Sequence, residues 1–443
     1  MTKITIFTIA SENYDAQVKS LFQSISSHND INFICFTPGK SNSSCKNEGE
    51  FERIYDDVII PEYVKDMRVR YSILEYCTAI KPYAFLWIFS QIKSDIVIYL
   101  DPDIFLFDRD VFLEEIKNLK GSVILTPHIL TPIEDNFRPN DYHMLQAGTF
   151  NLGFMAARRC DEALMFIRWW ADKLATRCYS HVEASLFTDQ KWCDLAPSFL
   201  PNLTIWRHPG ANIAYWNLFQ RTIKAGDNGN WSVGDAPLIF FHFSGFDPLQ
   251  PEKVSKHQDR LTLAVIAEWR PIFDRYAKSL LANLVQGGNN AVYPYDMIQG
   301  LVLNHWIRRV FGDAFPTNMP MDEIDRPFLE ALCNLPANPG LSDWPGRVTR
   351  LMFAVHQGQE GLQGRFPLDT FLGRARYTWW FARNASRLHG FPASLTKQRL
   401  IRRTDANPAL AAMPEPLRRP PRCLICVGLR LLRRRFAKDD VRR

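Results

Sequence analysis

The sequence predicts an α/β protein: a mainly parallel central sheet flanked by helices, with a C-terminal, mostly helical appendage. Three observations carry this. Apolar runs at residues 3–10, 31–37, 96–100, 122–126 and 238–243 alternate with stretches of helical period over the first 250 residues, the order of a parallel sheet. Residues 96–100 read Ile-Val-Ile-Tyr-Leu without a polar break, which suits a strand buried on both faces. After about residue 252 the texture becomes amphipathic helix, at 261–284 and 297–311, and Pro and Gly thicken between 316 and 364. The expected division is 1–250 for the α/β unit, 251–395 for the helical appendage and 396–443 for a basic tail.

In chain order, the first strand at 3–10 leads into a helix at 13–26 with no Gly-x-Gly-x-x-Gly or Walker loop between, so ordinary dinucleotide or ATP-loop binding has no support. A second strand at 31–37, a Ser/Asn-rich surface loop at 39–49 and a short third strand at 57–60 follow. Residues 66–92 have helical period with a break at Pro82, and Lys81 stands at the helix end before it. Past the 96–100 strand come a helix at 109–119, a strand at 122–126 and a polar segment to residue 146, expected as a mobile loop. In the next apolar strand Asn151 and Gly153 intervene, and glycine inside a strand marks a bulge or a close approach. A helix at 160–176, a helical segment at 188–193 and an aromatic loop at 206–218 lead to the last clear strand, 238–243, with His242 near its end.

The chemistry concentrates around Asp101-Pro102-Asp103. Pro102 removes a backbone donor, so the ladder stops and two carboxylates leave one strand end together. In an open α/β sheet that end faces the ligand crevice. A hard divalent cation takes such oxygen ligands, and one imidazole besides suits manganese or magnesium. A histidine at a strand end, such as His242, is as often a satisfied sheet residue as a ligand.

Strand, Asp-Pro-Asp, then Phe150-Asn151-Leu152-Gly153, then Asp189-Gln190, then His242-Phe243-Ser244-Gly245, in that order, resembles the GT-A nucleotide-sugar glycosyltransferases. It is closest to family 8 and to related bacterial enzymes of surface-polysaccharide synthesis. The resemblance spans about residues 1–250. It implies a nucleotide-diphosphate sugar donor, a glycan or lipid-linked acceptor, and a divalent cation, Mn or Mg, held by Asp101, Asp103 and His242. It also implies that Ala10, Asn13 and Tyr14 hold the nucleoside and that Lys81, Asn151 and Gly153 face the donor. Asp189 and Gln190 would line the reacting face, with retention of configuration. The family pattern continues to Lys-Pro-Trp, where this chain has Phe246-Asp247-Pro248-Leu249 and no lysine. For an inverting reaction, Asp135, Asp141 or Asp189 could serve as general base.

Two other readings compete. A haloacid-dehalogenase-like phosphatase also carries Asp-x-Asp after a buried strand, but near the chain start and with a small fifth residue, where Phe105 stands here. A non-catalytic GT-A-like binding or scaffold protein is the other.

Composition narrows the setting. In 443 residues, 46% hydrophobic and 13% aromatic content excludes a disordered chain. The opening Met-Thr-Lys-Ile-Thr-Ile-Phe has no signal-peptide layout, no apolar stretch reaches a membrane span, and nine scattered cysteines suit free thiols; together these lead to an expected cytoplasmic location. Residues 397–443 hold 14 basic and 4 acidic residues, a net of +10, so the rest of this +6 chain carries −4. The tail, with an amphipathic stretch at 424–436, suggests peripheral contact with an anionic membrane surface. No motif points to nucleic acid.

Overall fold

The computed structural model describes residues 2–26, 31–39, 45–47, 51–226, 230–284, 293–337 and 347–396. The basic tail lies outside the described residues. Two compact units divide the chain: Met1–Pro61 with Ile73–Pro294, and Glu62–Ser72 with the chain from Tyr295 onward.

In the first unit the strands are β1 (Ile4–Ile9), β2 (Asn32–Thr37), β3 (Cys45–Asn47), β4 (Glu52–Tyr55), β5 (Ile96–Leu100), β6 (Ile104–Leu106), β7 (Val123–Pro127), β8 (Phe150–Arg158), β9 (Leu203–Ile205) and β10 (Phe240–His242). Eight form one sheet in the order β9-β7-β8-β5-β1-β2-β4-β3. Only β3 and β8 run against the rest, so the sheet is mainly parallel, as expected. β5 lies at its centre with all five residues buried, which accounts for its unbroken apolar sequence. Helix α1 (Asp15–Ile25) covers one face, placing Val18, Leu21 and Ile25 against Ile6, Phe33 and Ile98. Each such side chain contributes about 1.5–3 kcal/mol of transfer free energy.

Three more helices position the site: α2 (Lys81–Trp87), α3 (Arg109–Asn118) and α4 (Asp141–Ala147). Two more, α5 (Asp161–Arg177) and the single turn α6 (Gln190–Cys193), follow β8. The first unit continues past the composition change near residue 250: α7 (Arg270–Asn283) lays Ile272, Phe273 and Tyr276 in one apolar cluster with Ala16 of α1.

Several boundaries differ from the sequence reading. The strand expected at 57–60 lies earlier, as β4, because buried Asp56 accepts from Gly39 N (2.6 Å) and the Tyr76 hydroxyl and turns the chain into a 3-10 segment. The helical stretch is interrupted beside Pro82: one helix, Ile73–Ala79, ends and α2 opens at Lys81 with Pro82 in its first turn, where a missing N–H costs nothing. The 261–284 helix begins only at Arg270, and 297–311 starts as a hairpin, Met297–Ile298 against Leu301–Val302, whose two-residue turn has positive φ at Gln299 and Gly300.

The second unit is helical: α8 (His305–Ala314), α9 (Arg326–Asn334), α10 (Arg350–Gln357) and α11 (Phe371–His389) bury Phe311, Phe328, Leu332, Val355, Tyr377 and Phe381 together. Its short 62–72 segment is pinned by the buried Arg308, which donates to the carbonyls of Arg68, Val69, Leu303 and Tyr295 and pairs with Asp296 at 2.9 Å. Among the described residues no helix is long and apolar enough to cross a membrane.

Candidate functional site

β5 ends at Leu100, and the chain turns through Asp101-Pro102-Asp103 into β6. β6 leaves the main sheet and pairs antiparallel with β10, matching Ile104 with His242. Asp103 O accepts from Phe243 N at 2.8 Å, which closes the ladder beside the carboxylates. Because β8 runs antiparallel to β5 and β7, its first residues lie at the carboxyl ends of both, and Asp101 N donates to Gly153 O at 2.8 Å. The sheet order thus brings Asp101, Asp103, Asn151, Gly153 and His242 to one place.

The His242 imidazole is buried, with Nε2 3.0 Å from Asp103 and 3.6 Å from Asp101. Its Nδ1 lies 3.1 Å from the Asn151 amide oxygen. With that oxygen accepting from Nδ1–H, Nε2 is the nitrogen that faces the carboxylates and the one whose lone pair a cation would take once its proton leaves, the usual arrangement behind a metal-binding imidazole. Trp216 meets the ring edge-to-face at 5.3 Å. A Cβ on Gly153 would lie 2.4 Å from His242 Cε1, so only glycine leaves room for the imidazole there. A register shift between β7 and β8 sits beside this point, at Leu125/Thr126, consistent with the close approach that a glycine within a strand suggests.

One ligand atom each from Asp101, Asp103 and His242 lies within 4.8 Å of the others. Two carboxylates and one imidazole fit a hard or borderline divalent cation. Burial alone would lower the His242 pKa, but Asp103 and Asp101 raise it above its ordinary value; His242 in turn holds Asp103 low against burial.

Lys81 is not solvated; it opens α2 as its first residue and is buried. Its ammonium pairs with Asp189 at 2.8 Å, lies 3.6 Å from Asp101 and donates to Leu152 O. It also rests 4.3 Å from the ring of Tyr99, whose hydroxyl donates to Asp101. Burial pulls the ammonium down, but the two carboxylates outweigh it and hold its pKa above the usual range. Asp189 goes the other way: burial raises its carboxyl beyond what Lys81 recovers. Gln190 donates its amide to Ala147 O.

Tyr14 is 42% exposed, and burial, then Asp103, raises its hydroxyl pKa. Ala10 is buried where β1 ends, and Asn13 accepts from Ser11. The segment before α4 is anchored: Asp135 forms two bonds with Arg260, at 2.8 and 2.7 Å, and Gln220 donates to the Thr131 and Pro132 carbonyls. That ties down Asp135, and Asp141 is engaged by Ile133 N. Of the three general-base candidates, only Asp189 lies with the metal pair.

Sequence reading missed Tyr99, although its two-residue spacing from Asp101 puts both on one face of a strand. It also passed over Trp216 and His128. His128 is buried, bonded through Nδ1 to Gly148 O, and its ring meets Trp216 at 5.3 Å.

No protein-family model matches the chain. Two uncharacterized proteins of Bacillus subtilis (strain 168) are similar: YfnF, 30% identical over 177 residues (39% of this chain, 57% of YfnF), and YfnD, 29% identical over 191 residues (42% and 58%). The chain thus spans under two thirds of these relatives' length. Among solved structures it is similar to the galactosyltransferase LgtC in complex with donor and acceptor sugar analogues, at 16% identity and TM-score 0.36, covering 64% of this chain and 98% of LgtC. It is also similar to the glycosyltransferase GlyE of Streptococcus pneumoniae TIGR4, at 13% identity and TM-score 0.37, covering 64% and 63%. These neighbours are GT-A glycosyltransferases.

Two predictions come from this geometry. Gly153→Ala should drive the imidazole off its position, costing about 1–3 kcal/mol by overpacking and at least tenfold in Mn affinity by calorimetry. His242→Ala in the same chain should restore most of the lost stability; a Gly153→Ala protein with unchanged metal affinity would contradict the close approach. For His128, burial pushes the imidazole down to about 4. Its folded pKa lies below the unfolded value of about 6.5, so the unfolded chain binds the extra proton between the two. Stability should therefore fall as pH drops through that window, by about 3 kcal/mol in all. His128→Asn should flatten this part of the pH–stability curve measured by urea unfolding.

Proposed function

We propose that the chain is a metal-dependent glycosyltransferase. It transfers a sugar, of the hexosyl type, from a nucleotide-diphosphate donor to a glycan or lipid-linked acceptor in surface-polysaccharide synthesis. The convergence of Asp101, Asp103 and His242 at the carboxyl end of β5 is the observation that carries this reading. When bound, a dication neutralises the charge that develops on the leaving diphosphate. The chain's own residues do the rest. Asn151 fixes the imidazole tautomer, and Tyr99 and Lys81 orient Asp101. Lys81 also keeps Asp189 in place beside the metal pair, where Asp189 and Gln190 border the reacting sugar. Tyr14, with Ala10 and Asn13, borders the nucleoside. Retention is the outcome we favour, because Asp135 and Asp141 are bonded elsewhere and Asp189 is buried against Lys81.

We place the protein in the cytoplasm, resting on the inner membrane face through its basic tail. Helix α11 supports this independently of the tail. It buries Gly373, Tyr377, Phe381 and Ala385 and exposes Phe371, Leu372 and Trp379, each more than half accessible. Arg376, Arg383 and Arg387 are exposed beside them, the helix has no acidic residue, and the Arg383 guanidinium lies 3.9 Å from the Trp379 ring. Aromatic and aliphatic groups mixed with arginines suit an anionic headgroup layer.

Asp103→Ala should leave the protein folded and abolish metal-dependent turnover across a panel of nucleotide sugars; full activity in excess EDTA would refute the metal role. A cation must displace the proton that Asp103 and Asp101 help His242 to hold. Mn affinity should therefore weaken as pH falls through a range above the imidazole's ordinary pKa, and His242→Ala should lose that dependence. For the membrane contact, the full chain should co-sediment with vesicles containing anionic lipid and release at high salt. Replacing Arg376, Arg383 and Arg387 by Gln should weaken partitioning about a hundredfold, from about 1 kcal/mol per basic residue. Unchanged binding would remove α11 from the surface.

A further inference from the structure

Helix α1 starts next to Tyr14, within electrostatic reach of Asp103, and ends beside a second cavity, which Ser24 lines. At 1.5 Å per residue, roughly 15 Å of helix separates Tyr14 from Ser24. None of the residues assigned to the catalytic site lines this cavity. Its volume, about 520 Å³, falls within the range of small-molecule sites. Its walls are tied together. Ser24 Oγ accepts from Leu106 N at 3.1 Å, which joins α1 to β6. The Gln23 and Asn283 side-chain amides bond each other both ways, at 3.1 and 2.9 Å, which joins α1 to α7.

The lining pairs an apolar floor with a set of cations. Phe105 and Phe107 supply the apolar part, and Arg109, Arg275 and Lys278 line the same space with no acidic residue among them. The Arg275 guanidinium is held against that floor, 5.6 Å from the Phe105 ring centre and 5.3 Å from that of Phe107, so its charge is kept at the cavity. Arg109 lines the cavity although its side chain is only 10% accessible, and its contact at 3.4 Å is with an Asp110 carboxylate that is 88% exposed, an arrangement that adds little stability. Neither Arg275 nor Lys278 has an acidic partner at ion-pair distance among the described residues. Asp274, the sequence neighbour of Arg275, acts on Arg270. A cation with a structural purpose is paired, as Arg260 is with Asp135. Three cations around one cavity repel one another until an anion enters between them.

We propose that this cavity is a second ligand site that takes a phosphate monoester. The phosphate meets Arg109, Arg275 and Lys278, and the organic part lies against Phe105 and Phe107. Guanidinium forks match phosphate oxygens in pairs, and lysine adds a point charge. The site needs no divalent cation and does not depend on the glycosyltransferase reading. Free glycerol or sugar phosphates and the headgroup of phosphatidic acid share this chemistry.

The test uses the full chain in excess EDTA, which leaves the metal centre out of the measurement. Glycerol 3-phosphate and glucose 1-phosphate are titrated by calorimetry, and vesicles containing phosphatidic acid are tested by co-sedimentation. Wild type should bind one phosphate monoester per chain. Arg275→Gln with Lys278→Gln, both at exposed positions, should weaken binding about 10- to 100-fold. Lys278→Arg should keep most of the affinity. Ser279→Phe, which fills the cavity and leaves its charge unchanged, should also block binding. Arg168→Gln with Lys224→Gln, two exposed cations elsewhere, should have no effect. Saturable binding of a soluble monoester assigns the site to a free metabolite. Vesicle binding that the Arg275/Lys278 variant loses, without soluble binding, assigns it to the lipid head. Unchanged affinity in the Arg275/Lys278 variant would overturn the site. So would an equal loss in the Arg168/Lys224 variant, which would show surface charge acting alone, or a wild type that binds neither form.

Discussion

The antiparallel pairing of β6 with β10 is the constraint on which the rest of the site depends. β6 is three residues long and begins immediately after Asp103; β10 is three residues long and ends on His242. Their register sets Ile104 opposite His242, so the two halves of the ligand set, 139 positions apart, meet through main-chain bonds. A slip of one residue would turn His242 to the opposite face of the ribbon and leave the carboxylates without an imidazole. Phe105, Phe241 and Phe243 fix that register from behind, packed with Tyr276 and Phe273 of α7. This explains why α7 belongs to the first unit despite its altered composition.

Behind the ligands, the site is held by groups that cannot easily move. Lys81 is fixed at the head of α2 and binds Asp189, Asp101 and the Leu152 carbonyl, so it links α2, β5, β8 and the turn before α6. A buried ammonium is costly to desolvate, and it stays charged here because two carboxylates face it. The same burial raises Asp189, which depends on Lys81 for its charge. Losing Lys81 would thus act on Asp101 and Asp189 together.

Much of this was legible in the sequence and some was not, for physical reasons. The central strand showed itself because a strand buried on both faces has no polar alternation to hide it, and Asp101 and Asp103 followed at its end. His242 was visible as a histidine beside a glycine turn. Its orientation depends on β6, and those three residues carry too little periodicity to mark a strand. Gly153 was expected to permit a close approach; which group approached, the imidazole, depends on the β7–β8 shift, a non-local feature. Lys81 looked like a helix end because Pro82 follows it. Proline ends one helix and begins another with equal ease, and only packing decides between them. The boundary at 250 marked a change of composition, whereas the first unit runs on through α7 to Pro294.

Electrostatics orders the events at the site. Without a cation, Asp103 and His242 form a buried pair, each holding the other in its charged form. Such a pair satisfies the ligands while keeping them close, so the site needs no large rearrangement to accept a dication. A dication held by Asp101, Asp103 and His242 would take the place of the proton on Nε2, and the Asn151 contact on Nδ1 would be retained. The exchange turns a locally anionic cluster into a near-neutral one. Under the proposed function a diphosphate would approach favourably only after that, because phosphate oxygens meeting unneutralised carboxylates would be repelled at close range. Cation first and donor second is therefore the order of binding that the proposed function predicts from these charges.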